Sequence, residues 1–310
     1  MAQHVLPATA TTTHTGFLDA ALKPVLSIDS GDVVQVDTLP SGTRTDLADS
    51  PFPLLKEHSE ILNGTGGPGP HILTGPIEVR GAEPGDTLSV RFLSVEVRQP
   101  WGWNGLWPLK GALPADFSAK RLLFVPFDLT RNLALLPWGQ EIPLRPFFGI
   151  QAVSPPASWG RVSSVEPRSF GGNLDNRDLV PGSTLHLPVF NSGAGLSFGD
   201  GHALQGDGEV TQTALETSLR GTFEVVLSKR TGLTSPRAET PTHRITMGFD
   251  PDLDDAAQTA LRDMVAWISR TKGISREDAF ALFGFVGELR VTQLVDGNKG
   301  VHALISKEYF

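Results

Sequence analysis

The sequence predicts a mainly β chain with one helical stretch late in it, on three observations. Glycine and proline are abundant, 33 and 24 of 310 residues, so turns must be frequent, which suits many short strands better than a helical bundle. From Pro24 onward, β-branched runs recur beside turn residues, the pattern of antiparallel sheet. Apolar residues at helical spacing occur only between about 254 and 285.

The Thr-rich residues 1–16 are expected to be loosely held. Val25–Ile28, a Ser30-Gly31-Asp32 turn and Val33–Thr38 read as a strand pair. Ile77–Arg80, the Glu83-Pro84-Gly85-Asp86 turn and Thr87–Val97 read as a second. Leu88, Val90 and Phe92 alternate with Ser89, Arg91 and Leu93, so one face of that strand should be buried. Further strands are expected at Leu122–Asp128, Phe148–Val153, Thr184–Val189 and Thr222–Leu227. Ala257, Leu261, Met264, Val265 and Ile268 form one apolar stripe, which predicts a helix over Asp254–Thr271 with Asp254 or Asp255 as its cap. Ser275 should cap a second helix, although Asp278 stands where a capping box prefers Glu or Gln. Leu289–Leu294 should turn through Asp296-Gly297-Asn298 into Gly300–Ser306. This gives an N-terminal segment, 1–23, and one large domain, 24–310, with a helical insert at about 252–286.

A net charge of −8 with no run of Lys and Arg argues against a nucleic acid or an anionic membrane as partner. The absence of cysteine removes disulfides, thiol nucleophiles and thiolate ligands. Met1–Thr15 has neither the basic start nor the apolar core of a secretory signal. No apolar stretch reaches the roughly 20 residues of a membrane helix. A cytoplasmic location is the default expectation.

Four segments carry chemistry. Gly66-Gly67-Pro68-Gly69-Pro70-His71 can bring backbone close to a ligand and aim one imidazole, or it is a structural turn. Gly171-Gly172-Asn173-Leu174-Asp175-Asn176-Arg177-Asp178 packs oxygen ligands suited to a hard cation or polar substrate, or is a turn held by Asx hydrogen bonds. Gly199–Glu209 sets Asp200, His202, Gln205, Asp207 and Glu209 among four glycines, the groups metal-assisted hydrolysis needs. Trp101, Trp103 and Trp107, three of the six tryptophans, either wall a small pocket or cover the sheet as core. Gly195-Leu196-Ser197-Phe198-Gly199 fits the serine-hydrolase pattern. That motif needs a helix directly after it, and the Gly and Asp that follow exclude one, so Ser197 is not expected to be a nucleophile.

Several of these motifs, in this order, resemble the acetamidase/formamidase family. The resemblance rests on Gly69-Pro70-His71-Ile72-Leu73-Thr74-Gly75-Pro76, Gly81–Leu88, Trp101-Gly102-Trp103, Pro146-Phe147-Phe148-Gly149, Gly171–Leu179 and Gly199–Glu209. It continues through Leu289–Gln293 and Lys299–His302, covering the chain from about Pro24. His14-Thr15-Gly16-Phe17 has Phe17 where the family often has Trp. Ile72 replaces a common Pro, and Thr211 and Gln212 a common Cys-Gly.

The resemblance implies a jelly-roll-like β-sandwich with additional α+β elements, a homo-oligomer (dimer or larger), and hydrolysis of short linear amides such as formamide or acetamide to acid and ammonia. It also implies a divalent metal, zinc ahead of calcium. Under that reading His71, Asp175, Asp200 and His202 supply metal ligands and a metal-activated water attacks the amide. Glu209 acts as general base, with His202 also in the catalytic set. Asn173 stabilises the oxyanion, and Trp101, Trp103 and His14 shape the substrate pocket. Two other readings stay open: a non-catalytic metabolite-binding sandwich with a structural cation, and a hydrolase of another C–N bond such as a cyclic imide.

Overall fold

The computed structural model describes residues 2–64 and 67–310. Gly66 of the Gly66–His71 loop lies outside the described residues. The chain forms two large sheets. One has nine strands in the order Gln3–Leu6, Asp32–Asp37, Leu219–Ser228, Thr87–Val97, Thr184–Pro188, Arg237–Glu239, His243–Asp250, Lys299–Ser306 and Glu288–Gln293. The other has eleven. Its main path runs Glu141–Pro143, Leu133–Leu135, Arg121–Asp128, Trp101–Leu106, Leu215–Glu216, Leu196–Leu204, Phe147–Ala152 and Gly171–Asn173. Ile72–Val79 pairs with Leu196–Leu204 and carries Thr13–Thr15 and Leu26–Ile28.

A single core lies between the sheets. Val34, Val90, Leu185, Phe223 and Ile245 from the first pack with Ile77, Phe148, Ile150, Leu196 and Phe198 from the second. Phe198 stacks on Phe223 across the layers, 4.3 Å between ring centres. Two sheets sharing one apolar filling are a β-sandwich, as expected. Thr87–Val97 has the alternation read from sequence: Leu88, Val90 and Phe92 are buried, Arg91 and Leu93 exposed.

Both expected strand pairs are corrected. Leu26–Ile28 pairs in parallel with Ile77–Val79, whereas Asp32–Asp37 pairs with Gln3–Leu6 and Leu219–Ser228 in the other sheet. Ile72–Val79 and Thr87–Val97 likewise lie in different sheets. In each case the turn carries the chain from one layer to the other, and turn residues by themselves do not distinguish a hairpin from a crossing. Residues 3–6 and 13–15 are not loose: they pair with Val33–Val36 in one sheet and with Ile72–Thr74 in the other.

The helix Leu253–Lys272 packs on the nine-stranded sheet, away from the eleven-stranded one, through Ala256, Ala260, Met264 and Ile268. Its close approach requires Gly248, where a Cβ would lie 2.1 Å from the Ala256 carbonyl oxygen. The cap is Asp252 rather than Asp254 or Asp255: its Oδ1 accepts from both their backbone N–H groups, at 2.8 and 3.3 Å. Ser275 caps Arg276–Val286 as expected, accepting from Asp278 N at 3.0 Å. Two short helices, Arg44–Leu47 and Lys56–Leu62, were not expected. The segment that carries them packs Leu47, Phe52, Leu54 and Leu62 around Trp101 and Trp103, on the outer side of the eleven-stranded sheet. No helix among the described residues is long and apolar enough to cross a membrane.

Candidate functional site

The strand Leu196–Leu204 builds the site by a local break in its own alternation. Phe198 faces inward onto Phe223. Asp200 takes a left-handed conformation (φ 54°), which an L residue with a short polar side chain tolerates best. Gly201 then occupies the inward position, where a Cβ would meet the Leu219 side chain of the opposite sheet at 2.7 Å. Asp200 and His202 are thereby turned to the same side, with His202 Nε2 3.0 Å from Asp200 Oδ2. Gly199–Leu204 is therefore strand, and Ser197 lies buried in the same strand, Leu196–Leu204, not at a strand-to-helix elbow.

A row of residues crosses the sheet at this level. Phe147 pairs with His202, His202 with Glu216, and Glu216 with Trp103. The Phe147 ring meets the His202 imidazole edge-on at 5.0 Å. On the other flank, the Gly149 carbonyl accepts from the N–H groups of Leu174 and Asp175, at 2.9 and 3.2 Å, and so draws Asp175 in. The Glu209 turn is fastened to Glu288–Gln293 by Gly208 N donating to Thr292 O and Leu294 N to Gly208 O, at 3.0 and 3.1 Å. Asp296 follows on the next turn, held by its N–H on Gln293 Oε1 at 3.2 Å.

Asp175, Asp200, Glu209, Glu216 and Asp296 converge as five buried carboxyl groups around the buried His202. They form three overlapping sets whose ligand atoms lie within 4.8 Å of one another: Asp175, Asp200 and His202; His202, Glu209 and Glu216; Asp175, Glu209 and Asp296. Among the described residues no Lys or Arg pairs with any of them; the ion pairs they make are all to His202. Both Asp175 oxygens, Asp200 Oδ1, Glu209 Oε2, Asp296 Oδ2, Asn173 Oδ1 and His202 Nδ1 are buried without a hydrogen-bond partner. Glu216 is different: Oε2 accepts from Ser41 Oγ at 2.7 Å and Oε1 from Ala214 N at 2.9 Å. Three of the acids, Asp175, Asp200 and Glu209, are left-handed at φ 49°, 54° and 43°, a concentration of strained backbone typical of sites whose side chains must be aimed.

The electrostatics follow from crowding like charges in a dry place. Burial, then the neighbouring carboxylates, raise Asp175 and Glu209 well above the usual carboxylate range. Burial pushes Glu216 up to about 8 and Asp296 up to about 7. Burial also opposes the charge on Asp200, but His202 and His71 outweigh it and hold that group below its ordinary value. For His202 burial favours the neutral ring, yet Glu216 and Asp200 raise it to about 10.

Asp200, Glu209, Glu216 and Asp296 line a cavity of about 500 Å³ together with His71 and Asn173. His71 is oriented by Ser164, Nδ1 to Oγ 2.9 Å, and lines the cavity but joins none of the three ligand sets. Trp103 lines the cavity as well. Trp101 does not: its ring stacks on Phe52 and its Nε1 donates to the Pro53 carbonyl at 3.3 Å, so it is core. His14 also stands outside the cavity, opposite Leu73 with its ring 5.7 Å from Phe17, and burial lowers its pKa to about 4. Sequence reasoning missed Glu216 altogether and took Asp296 for a turn residue. A lone Glu directly after Ala214-Leu215 was the available signal for the first.

Comparisons with known proteins agree in direction. The sequence matches the acetamidase/formamidase family over residues 20–117 and 128–308. It is 29% identical over 290 residues to a formamidase of Methylophilus methylotrophus, covering 72% of this chain and 70% of that one. An acetamidase from Bacillus halodurans superposes with a TM-score of 0.85 at 28% identity, covering 99% of this chain and 98% of the other. One from Yersinia enterocolitica does so with a TM-score of 0.85 at 30% identity, covering 99% and 92%.

Proposed function

Because the chain belongs to the acetamidase/formamidase family, a family of amidases, we propose that it hydrolyses the C–N bond of linear amides to a carboxylic acid and ammonia. The observation that carries this reading is the set of five buried carboxyl groups, four of them with orphaned oxygens and none, among the described residues, with a Lys or Arg partner, beside one cavity that four of them line. Uncompensated buried charge of this kind is costly unless a cation sits among it.

The donor set fits a divalent cation. Asp175, Asp200 and His202 would hold it, which supports three of the four expected ligands and leaves His71 facing the substrate. Carboxylate oxygens with one imidazole suit zinc and harder ions alike; zinc is the reading we favour. When bound, such an ion supplies Lewis-acid polarisation of the amide carbonyl and lowers the pKa of water.

Glu209 is the proton carrier. Its Oε2 has no partner, and burial, then the neighbouring carboxylates, raise its pKa well above the usual carboxylate range, which makes it a stronger base. It takes a proton from the attacking water and delivers one to the leaving nitrogen as the C–N bond breaks. Glu216, with both oxygens bonded, is a positioning residue that steers His202. The Asn173 side-chain N–H faces the tetrahedral oxyanion. A cytoplasmic homo-oligomer acting on a small-molecule amide goes with this reading.

The test is ammonia release from formamide, acetamide, propionamide, urea and a cyclic imide, with metal content measured on the same preparation. Turnover lost to a chelator and restored by one divalent ion supports the proposal. A folded, metal-loaded protein that releases no ammonia from any of them would overturn it. Turnover of the imide alone would replace the linear amide with a cyclic one.

A further inference from the structure

The cavity is far larger than the small amides just named require. Acetamide has four heavy atoms, which fill roughly 100 Å³ at the volume water takes per molecule. The cavity measures about 500 Å³ and falls in the range of sites that enclose ligands of drug size. Its lining is also mixed in character. Asp200, Glu209, Glu216, Asp296 and His71 line it together with Asp46, Lys110 and Gln212, and Pro70, Trp103, Trp107, Pro108 and Val165 supply apolar surface.

That wall is built rather than incidental. Trp103 and Trp107 meet edge to face, 6.1 Å between centres at 86°. Two glycines give the indoles their places: a Cβ on Gly105 would lie 2.1 Å from the Trp107 ring, and one on Gly42 2.6 Å from the Trp103 ring. The Trp103 Nε1 is buried without a hydrogen-bond partner. The row Trp103, Glu216, His202 places this indole directly beside the reacting groups. Apolar area left next to polar chemistry is what an acyl substituent would cover.

We propose that the amide this site is shaped for carries a large apolar acyl group, of the size of a phenylacetyl or hexanoyl chain, seated against Trp103 and Trp107. The inference rests on the amidase reading and names its substrate class. Burying each added methylene should raise kcat/KM about three- to fourfold until the wall is covered.

The experiment compares kcat/KM for acetamide, butyramide, hexanamide, benzamide and phenylacetamide on the metal-loaded full chain, and repeats it for Trp107→Ala and Trp107→Phe. The expected result is a rise of about a hundredfold or more from acetamide to phenylacetamide or hexanamide. Trp107→Ala should cut that ratio at least tenfold, and Trp107→Phe should retain most of it. Turnover that is flat or falls with acyl size overturns this inference and leaves the amidase reading standing. No turnover of any amide overturns both. A ratio unchanged in a folded Trp107→Ala protein overturns the assignment of the wall.

Discussion

Gly149 stands across from Asp200, and a Cβ added to it would come 2.4 Å from the Asp200 Oδ2, 2.6 Å from the Asp175 Oδ1 and 2.8 Å from the His202 Cε1. This one glycine is the floor on which three side chains meet. Gly149→Ala should therefore spread the ligand set while leaving the apolar core between the sheets intact. The expected outcome is a loss of activity of about a hundredfold or more together with a lower bound-metal content, read by elemental analysis, with an unchanged far-ultraviolet dichroism spectrum. A variant that keeps its metal and its rate would show that the three side chains need not converge.

Glu209→Gln keeps the shape of the side chain and removes its ability to take a proton. Turnover should fall about a hundred- to ten-thousand-fold, with metal still bound, because the Asp175, Asp200 and His202 set is untouched. Near-wild-type turnover would remove Glu209 from the mechanism.

His58 gives a prediction about stability and pH. Its ring is wholly buried on the helix Lys56–Leu62, neither nitrogen has a partner, and burial lowers its pKa to about 4. The unfolded chain binds a proton here near pH 6.5, the folded chain only near 4. Stability from this group is thus complete above pH 6.5 and declines as pH falls toward 4, by at most about 3 kcal/mol. His58→Leu should flatten that part of the curve, measured as urea unfolding midpoints from pH 7 to 4. Parallel curves for the two proteins would exclude the His58 contribution.

Asp252→Ala removes the cap of the helix Leu253–Lys272 and should cost about 1 kcal/mol. A fall in Tm of a few degrees is expected with kcat/KM unchanged, since the helix packs on the nine-stranded sheet and the site opens from the other.

Much of the strand content and both late helices were legible because alternation and helical spacing are local properties. Thr87–Val97 appears in the fold with the bounds its sequence suggested. The pairing of Glu288–Gln293 with Lys299–Ser306 was legible from the turn between them, but that of the two earlier strand pairs was not, because Glu83–Asp86 has the same turn chemistry whether it closes a hairpin or changes layers. At the site, the composition of Gly199–Glu209 pointed to Asp200, His202 and Glu209, and the structure brings all three together. Glu216 and Asp296 were hidden because their partners are far away in sequence. A single acid in a strand and an Asp-Gly turn are ordinary until long-range pairing sets them beside His202 and Asp175. Trp101 shows the reverse: it shares a strand face with Trp103, but Phe52 stacks over its ring and closes it off from the cavity.

The Asp296 turn has a consequence for how the protein is made. Ser41, Asp175, His202, Glu216 and Asp296 come from widely separated stretches, and the turn that brings Asp296 under the site depends on Gln293, in a strand paired with Lys299–Ser306. A ribosome that has delivered every other member of the cluster still holds a chain with an incomplete set of acids. Catalysis then waits on the pairing of Glu288–Gln293 with Lys299–Ser306, so specific activity reports the fraction of molecules in which that pair has formed.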